Sequence, residues 1–108
     1  MKVDIPKLLM VFDELLTPPT DEKLGNFWFK TIRTDGLVVV FSFSVYDNYV
    51  GILVRDSSDT AIASVNMKDC SEIRVLDESK KHIEIIHDNS KNRCLLLLVG
   101  DDILSYSE

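Results

Sequence analysis

A chain of 108 residues has the size of one domain with one core, and 45% hydrophobic with 28% charged residues is ordinary for a soluble globular protein. Twelve Lys and Arg against 18 Asp and Glu give a net charge of −6. That balance counts against nucleic acid as a partner, because phosphate backbones are held by clustered Lys and Arg and the nearest approach to a cluster is Lys80-Lys81 in a turn. The longest apolar runs, Leu37–Phe41 and Cys94–Gly100, are too short to cross a bilayer. The apolar stretch after Met1–Lys7 is broken by Asp13 and Glu14, so no signal peptide is expected, and the expected compartment is the cytoplasm.

In chain order, Leu8, Leu9, Val11, Phe12, Leu15 and Leu16 recur at three- and four-residue spacing, which predicts one amphipathic helix over Ile5–Leu16. Asp4 is its expected N-cap and Pro6 suits its first turn. Thr17-Pro18-Pro19-Thr20 ends it, and residues 17–25 form a polar connector closed by Gly25. From Asn26 the period becomes two. Phe27 and Phe29 share one face, with Trp28, Lys30 and Ile32 on the other. Asp35-Gly36 signals a tight hairpin. Leu37–Val45 follows, with Leu37, Val39, Phe41, Phe43 and Val45 on one side.

Tyr46-Asp47-Asn48 is a turn, and Tyr49–Arg55 a strand in which Gly51 marks a bulge or a close approach. Further strands are expected over Thr60–Asn66, Glu72–Leu76, His82–His87 and Arg93–Val99, with a short last one over Ile103–Tyr106. Arg93–Val99 is apolar on both faces and belongs centrally or under the helix. The expected fold is α+β, mostly β: one domain over residues 1–108, with an N-terminal helix packed on an antiparallel meander of about seven strands. A curved sheet, a sandwich and a half-barrel all remain open.

Catalytic chemistry is hard to find. Asp13-Glu14, Asp21-Glu22, Asp77-Glu78 and Asp101-Asp102 are adjacent pairs whose side chains diverge, so none is a preset acid–base dyad. No serine sits in a Gly-x-Ser-x-Gly elbow, and neither Cys70 nor Cys94 has a nucleophile's context. His87-Asp88 would need a nucleophile brought close. His82 and His87, five apart on one strand, face opposite ways, which counts against a metal. Four scattered glycines make no phosphate cradle, so no cofactor is expected. Cys70 and Cys94 are read as reduced thiols, Cys94 packed as a small apolar residue. The expectation is a non-enzyme.

What remains is aromatic and acidic. Tyr46, Asp47 and Tyr49 gather at one hairpin end, and Asp101, Asp102, Tyr106 and Glu108 lie in a C-terminal segment without a basic residue. Tyr and Trp favour binding hot spots, and carboxylates suit a cationic partner. Trp28, on the mixed face of its strand beside Lys30, is either such an anchor or a residue packed beneath the helix, and the tyrosines are either anchors or caps of the sheet edge.

This combination resembles the small cytoplasmic immunity proteins of bacterial toxin–immunity pairs, in particular those of contact-dependent growth inhibition systems. The resemblance lies in organisation: short length, the helix Ile5–Leu16, antiparallel strands and acidic charge. No motif carries functional residues across. It implies a stoichiometric inhibitor of a cognate protein toxin, a basic nuclease being the expected case, whose active site an acidic surface would occlude. In that picture Asp47, Asp101 and Asp102 face the toxin's basic residues, and Tyr46 and Tyr49 are anchors; no nucleic acid or membrane is a partner. The competing readings are a small-molecule or peptide binder with a β-barrel-like interior lined by Phe27-Phe29 and Phe41-Phe43, and an assembly subunit pairing through a sheet edge.

Overall fold

The computed structural model of the chain describes residues 1–79, 81–100 and 102–107, with the backbone alone for 106 and 107. Its elements are β1 (Lys2–Val3), α1 (Ile5–Val11), β2 (Glu14–Leu15), α2 (Pro19–Lys23), β3 (Asn26–Ile32), β4 (Val38–Ser44), β5 (Tyr49–Arg55), β6 (Ala61–Met67), β7 (Glu72–Asp77), β8 (His82–His87), β9 (Asn92–Leu97) and β10 (Leu104–Ser107). They form two five-stranded sheets. The N-terminal sheet has the order β2-β3-β4-β5-β6, and the C-terminal sheet the order β1-β7-β8-β9-β10. The expected single meander is thus two consecutive ones, and β1 joins the second in parallel with β7.

Alternation decides which side of each strand turns inward. Phe27 and Phe29 of β3, Val39, Phe41 and Phe43 of β4, and Val50, Ile52 and Val54 of β5 meet Ile73, Ile83, Ile85, Cys94, Leu96 and Leu98 of the other sheet in one core. A sandwich is therefore the arrangement among those left open. Of the two cysteines, neither is in a disulfide and both are buried. Pairing β3↔β4 places Phe27 opposite Phe43 and Phe29 opposite Phe41, and the Phe27 and Phe43 rings stack with centroids 5.2 Å apart.

The helix departs most from expectation. Asp4 caps it, its carboxylate accepting from the Lys7 backbone N–H at 3.2 Å, and Pro6 sits in the first turn. It ends at Val11 rather than Leu16. The cause is a competing partner for the chain after it. The Asp13 carboxylate accepts from the Thr31 hydroxyl at 2.7 Å and the Ile32 N–H at 3.1 Å, while Glu14 and Leu15 pair with Lys30 and Phe29. Those bonds pull residues 13–15 into the sheet. Leu8, Val11 and Phe12 enter the shared core, and the Phe12 ring lies 5.4 Å from Phe29 and 5.5 Å from Phe41. Pro19, expected only to block a helix, opens the short α2 inside the connector, where a proline's missing N–H costs nothing.

Candidate partner-binding surface

The β4–β5 turn carries the first group of candidate residues. Asn48 takes a left-handed φ of 54° to close it, as an Asn tolerates. The Ser44 hydroxyl donates to the Asp47 carboxylate at 3.2 Å and accepts from the Asp47 N–H at 3.2 Å, so the carboxylate is held at the strand end. Tyr46 projects outward and is 74% exposed. Its ring lies against Gly25, where φ is +77°, a conformation that favours glycine, and where a Cβ would approach the ring to 2.7 Å and displace it.

Tyr49 lies on the outer face of the N-terminal sheet and donates its hydroxyl to the Asn66 side-chain carbonyl. Gly51 lies below it: a Cβ there would sit 2.9 Å from the Ser42 Oγ and 3.5 Å from the Tyr49 hydroxyl oxygen. Of the two roles left open for Gly51, close approach is the one realised. The cross-strand row Trp28, Ser42, Gly51, Asn66 therefore has small residues at its middle, with Gly51 covered by the Tyr49 hydroxyl and the Asn66 amide.

Trp28 does not pack beneath the helix. It faces out, 37% exposed, because it alternates with Phe27 and Phe29, whose rings take the core side. Together Asn26, Trp28, Phe43, Ser44, Asp47, Tyr49 and Lys68 line an open cleft of about 480 Å³. A second cleft of about 450 Å³ continues from Tyr49 and Lys68 past Val65 and Asn66 to His87 and Asp88. The sequence signal for Trp28 was its phase, an aromatic residue on the half-polar side of a strand.

Asp102 is brought to none of these. Gly100 accepts from Arg33 in the β3–β4 turn, which places the break before β10 at the other end of β4 from Tyr46–Tyr49. A seven-residue strand separates the two groups, about 20 Å. Asp102 is exposed. Asp101 and Glu108 lie outside the described residues, as does the Tyr106 side chain.

Three further groups are structural. Arg33, its side chain 2% exposed, donates to the Leu97 and Gly100 carbonyls and pairs with Asp35 at 3.2 Å. It joins the two sheets at that end. Asp35 is held below the usual carboxylate range, first by the Leu37 backbone N–H, which outweighs desolvation, and then by Arg33. Asp13 is lowered likewise, by the Thr31 hydroxyl and then the Ile32 N–H. Burial pushes the Cys70 thiol up to about 11, with Asp88 and Asp69 adding to the effect, so it is not a thiolate nucleophile at neutral pH.

His87 does pair with Asp88, Nδ1 to carboxylate at 3.3 Å, while its buried Nε2 has no hydrogen-bond partner. No cysteine or serine completes a triad with it among the contacts described. Among the described residues, no three His, Cys, Asp or Glu side chains are placed to hold a metal ion, and no helix is long and apolar enough to cross a membrane. The aromatic pairs proposed to line a ligand cavity instead fill the interior with one another, Phe29 and Phe41 being fully buried.

The outer faces of the two sheets differ in charge. No Asp or Glu occurs in β3, β4, β5 or β6. Glu14 of the edge strand β2, opposite Lys30, is the carboxylate on a strand of this sheet; Asp13 precedes it, and the other aspartates of this half sit in turns: Asp35, Asp47, Asp56, Asp59 and Asp69. On the C-terminal sheet the acids lie on the strands. Glu84 meets Arg74 at 3.5 Å and Arg93 at 4.0 Å, and Glu72 meets Arg74 at 3.9 Å and Lys2 at 4.0 Å.

No family model matches the sequence, and comparison with curated proteins finds no match. Among solved structures, the chain is similar to one in the contact-dependent growth inhibition toxin–immunity protein complex from Klebsiella pneumoniae 342. The TM-score is 0.80 at 20% sequence identity, covering 98% of this chain and 95% of that one. The likeness read from organisation in the sequence thus holds in three dimensions, and this chain has the fold of a component of a toxin–immunity protein complex.

Proposed function

We propose that this chain is an immunity protein: a non-enzymatic, cytoplasmic inhibitor that binds a cognate toxin domain one to one. The observation that carries the reading is the likeness of fold, nearly end to end in both chains, to a component of a toxin–immunity complex. A basic nuclease is the toxin class the charge favours. A phosphate-binding active site is cationic, and a net charge of −6 steers such a domain toward the inhibitor and speeds association. Asp47, flanked by Tyr46 and Tyr49, then supplies an acidic contact with aromatic anchors at one end of the sandwich. Asp102, in the segment at the opposite end, adds to the steering field.

The test is co-expression with the protein encoded by the neighbouring gene, taken as the candidate toxin. Growth arrest by the toxin alone, relieved when the chain is expressed at an equal level, is the expected result. Unrelieved arrest, with both proteins folded and present, contradicts the reading. The nuclease class is tested separately by adding purified toxin to RNA and DNA. Intact nucleic acid after incubation with an active toxin overturns that part alone.

A further inference from the structure

We infer that the outer face of the N-terminal sheet, centred on Trp28 and Tyr49, is the surface that docks the toxin domain; the inference rests on the function just proposed and adds where binding occurs. Three observations carry it. The first is an uncovered apolar face. Trp28 and Ile32 of β3 and Tyr49 of β5 are exposed at outward positions, and Val38, Val40 and Leu53 lie half-buried between them. Leu16, beside Trp28 through its N–H bond to the Trp28 carbonyl at 2.8 Å, extends the patch to the β2 edge. An apolar patch of this breadth with polar borders is the usual anatomy of a protein-binding surface.

The second is charge placement. The four long strands β3–β6 hold the cations Lys30 and Arg55 and no carboxylate; Glu14 stands on the edge strand β2 opposite Lys30, and aspartates stand at the turns that bound the face, Asp47 and Asp69 at one end and Asp35, Asp56 and Asp59 at the other. An apolar centre with an acidic rim fits a folded domain that is apolar at its contact centre and basic around it. It opposes a second copy of this chain, because each copy would bring the same acidic rim and a charge of −6 to the same face.

The third is relief. Between Trp28 and Tyr49, toward Ser44, Asp47 and Lys68, the open cleft of about 480 Å³ gives an inserted side chain a recess that a flat sheet lacks. Five strands spaced about 4.8 Å apart, each seven residues long at most, give a face of roughly 400 Å² in projection. With its side-chain relief and rim turns that approaches the roughly 800 Å² each partner contributes to a standard interface. The C-terminal sheet offers no equivalent, since its outer face is crossed by the Lys2, Glu72, Arg74, Glu84 and Arg93 ion pairs.

The experiment is calorimetric titration of the inactivated cognate toxin domain, identified by the co-expression test, into four variants. Trp28→Ala and Ile32→Lys alter the proposed face; Leu76→Lys and Arg93→Ala alter the opposite one. All four positions lie outside the core, and thermal melting checks that each variant is folded. Trp28→Ala and Ile32→Lys are expected to weaken binding about 30-fold or more, the effect of losing a central hot spot, with the other two within about threefold of the parent. Parent-like affinity in Trp28→Ala and Ile32→Lys, or loss confined to Leu76→Lys and Arg93→Ala, overturns the surface and leaves the function standing. An unaltered chain that neither binds this domain nor relieves its toxicity overturns both. A dimer in sedimentation that Ile32→Lys dissociates reassigns the face to self-association and overturns the docking proposal.

Discussion

The two sheets share a core yet treat their outer faces in opposite ways. The C-terminal sheet places Glu72 and Glu84 on its strands, opposite Arg74 and Arg93, and neutralises itself. The N-terminal sheet keeps carboxylates off β3–β6, carries one on its edge strand at Glu14 opposite Lys30, and leaves Trp28, Ile32 and Tyr49 in water. Neither choice is needed for folding, since alternation already supplies an apolar inner side to both. Net charge alone hides this difference. A value of −6 describes the whole molecule and sets its long-range field, while contact chemistry follows from where each charge stands.

The largest expected effect tests whether the faces differ on one common body. Phe29 is fully buried and its ring meets those of Phe12 and Phe43. Phe29→Ala should cost about 3–5 kcal/mol, and both sheets should still unfold in one transition. Separate melting of the sheets, seen as two calorimetric transitions, would break the comparison at its root. Next comes the tie between the sheets. Arg33→Met removes charge-assisted bonds to the Leu97 and Gly100 carbonyls and leaves Asp35 unpaired. A loss of about 2–3 kcal/mol in urea unfolding is expected; a change within about 0.5 kcal/mol would mean the carbonyls find other partners.

Smaller effects separate the outer faces themselves. Glu84→Gln removes pairing to both Arg74 and Arg93 and should cost about 0.5–1 kcal/mol, less in high salt. Lys30→Gln on the other face should change stability by less than about 0.5 kcal/mol. Equal losses would contradict the picture of one self-paired face and one open face.

The smallest effect concerns pH. The folded chain holds Asp13 below its ordinary value of 3.8, so the unfolded chain binds the proton more readily. This contribution is present above that value and is lost as pH falls below it. Stability measured by urea midpoint should therefore fall less steeply in acid for Asp13→Asn than for the parent. For Cys70 the direction is opposite: its raised value of about 11 gives a contribution present below 9.0 and lost as pH climbs between the two. At pH 8 a thiol reagent should label Cys70 only as the protein unfolds.

Much of this fold is legible in the sequence, for a physical reason. Strands such as Tyr49–Arg55 and His82–His87 match their expected bounds because alternation and turn residues act locally. The helix end was not legible. Leu15 and Leu16 continue the helical spacing, and tertiary bonds stop it: those of Asp13 to Thr31 and Ile32 and the pairing of Glu14 and Leu15 with β3. Division into two sheets depends on the Met67–Glu72 connection and on Arg33, neither of which has a local signature. The surface was half legible. Tyr46, Asp47 and Tyr49 share a turn region and so announced themselves, whereas Trp28 joins them only through the pairing of β3, β4 and β5. The absence of acids from 26–32, 38–44, 49–55 and 61–67 was visible as a pattern, but it acquires meaning only once those strands are known to form one sheet.

Hydroxyl-radical footprinting of the chain, alone and bound to its inactivated toxin domain, tests the two-face account most directly. Trp28, Ile32 and Tyr49 are expected to lose reactivity in the complex, while Leu76 and Met10 stay as reactive as in the free protein. Protection at Leu76 with Trp28 and Ile32 still open to radicals would contradict it.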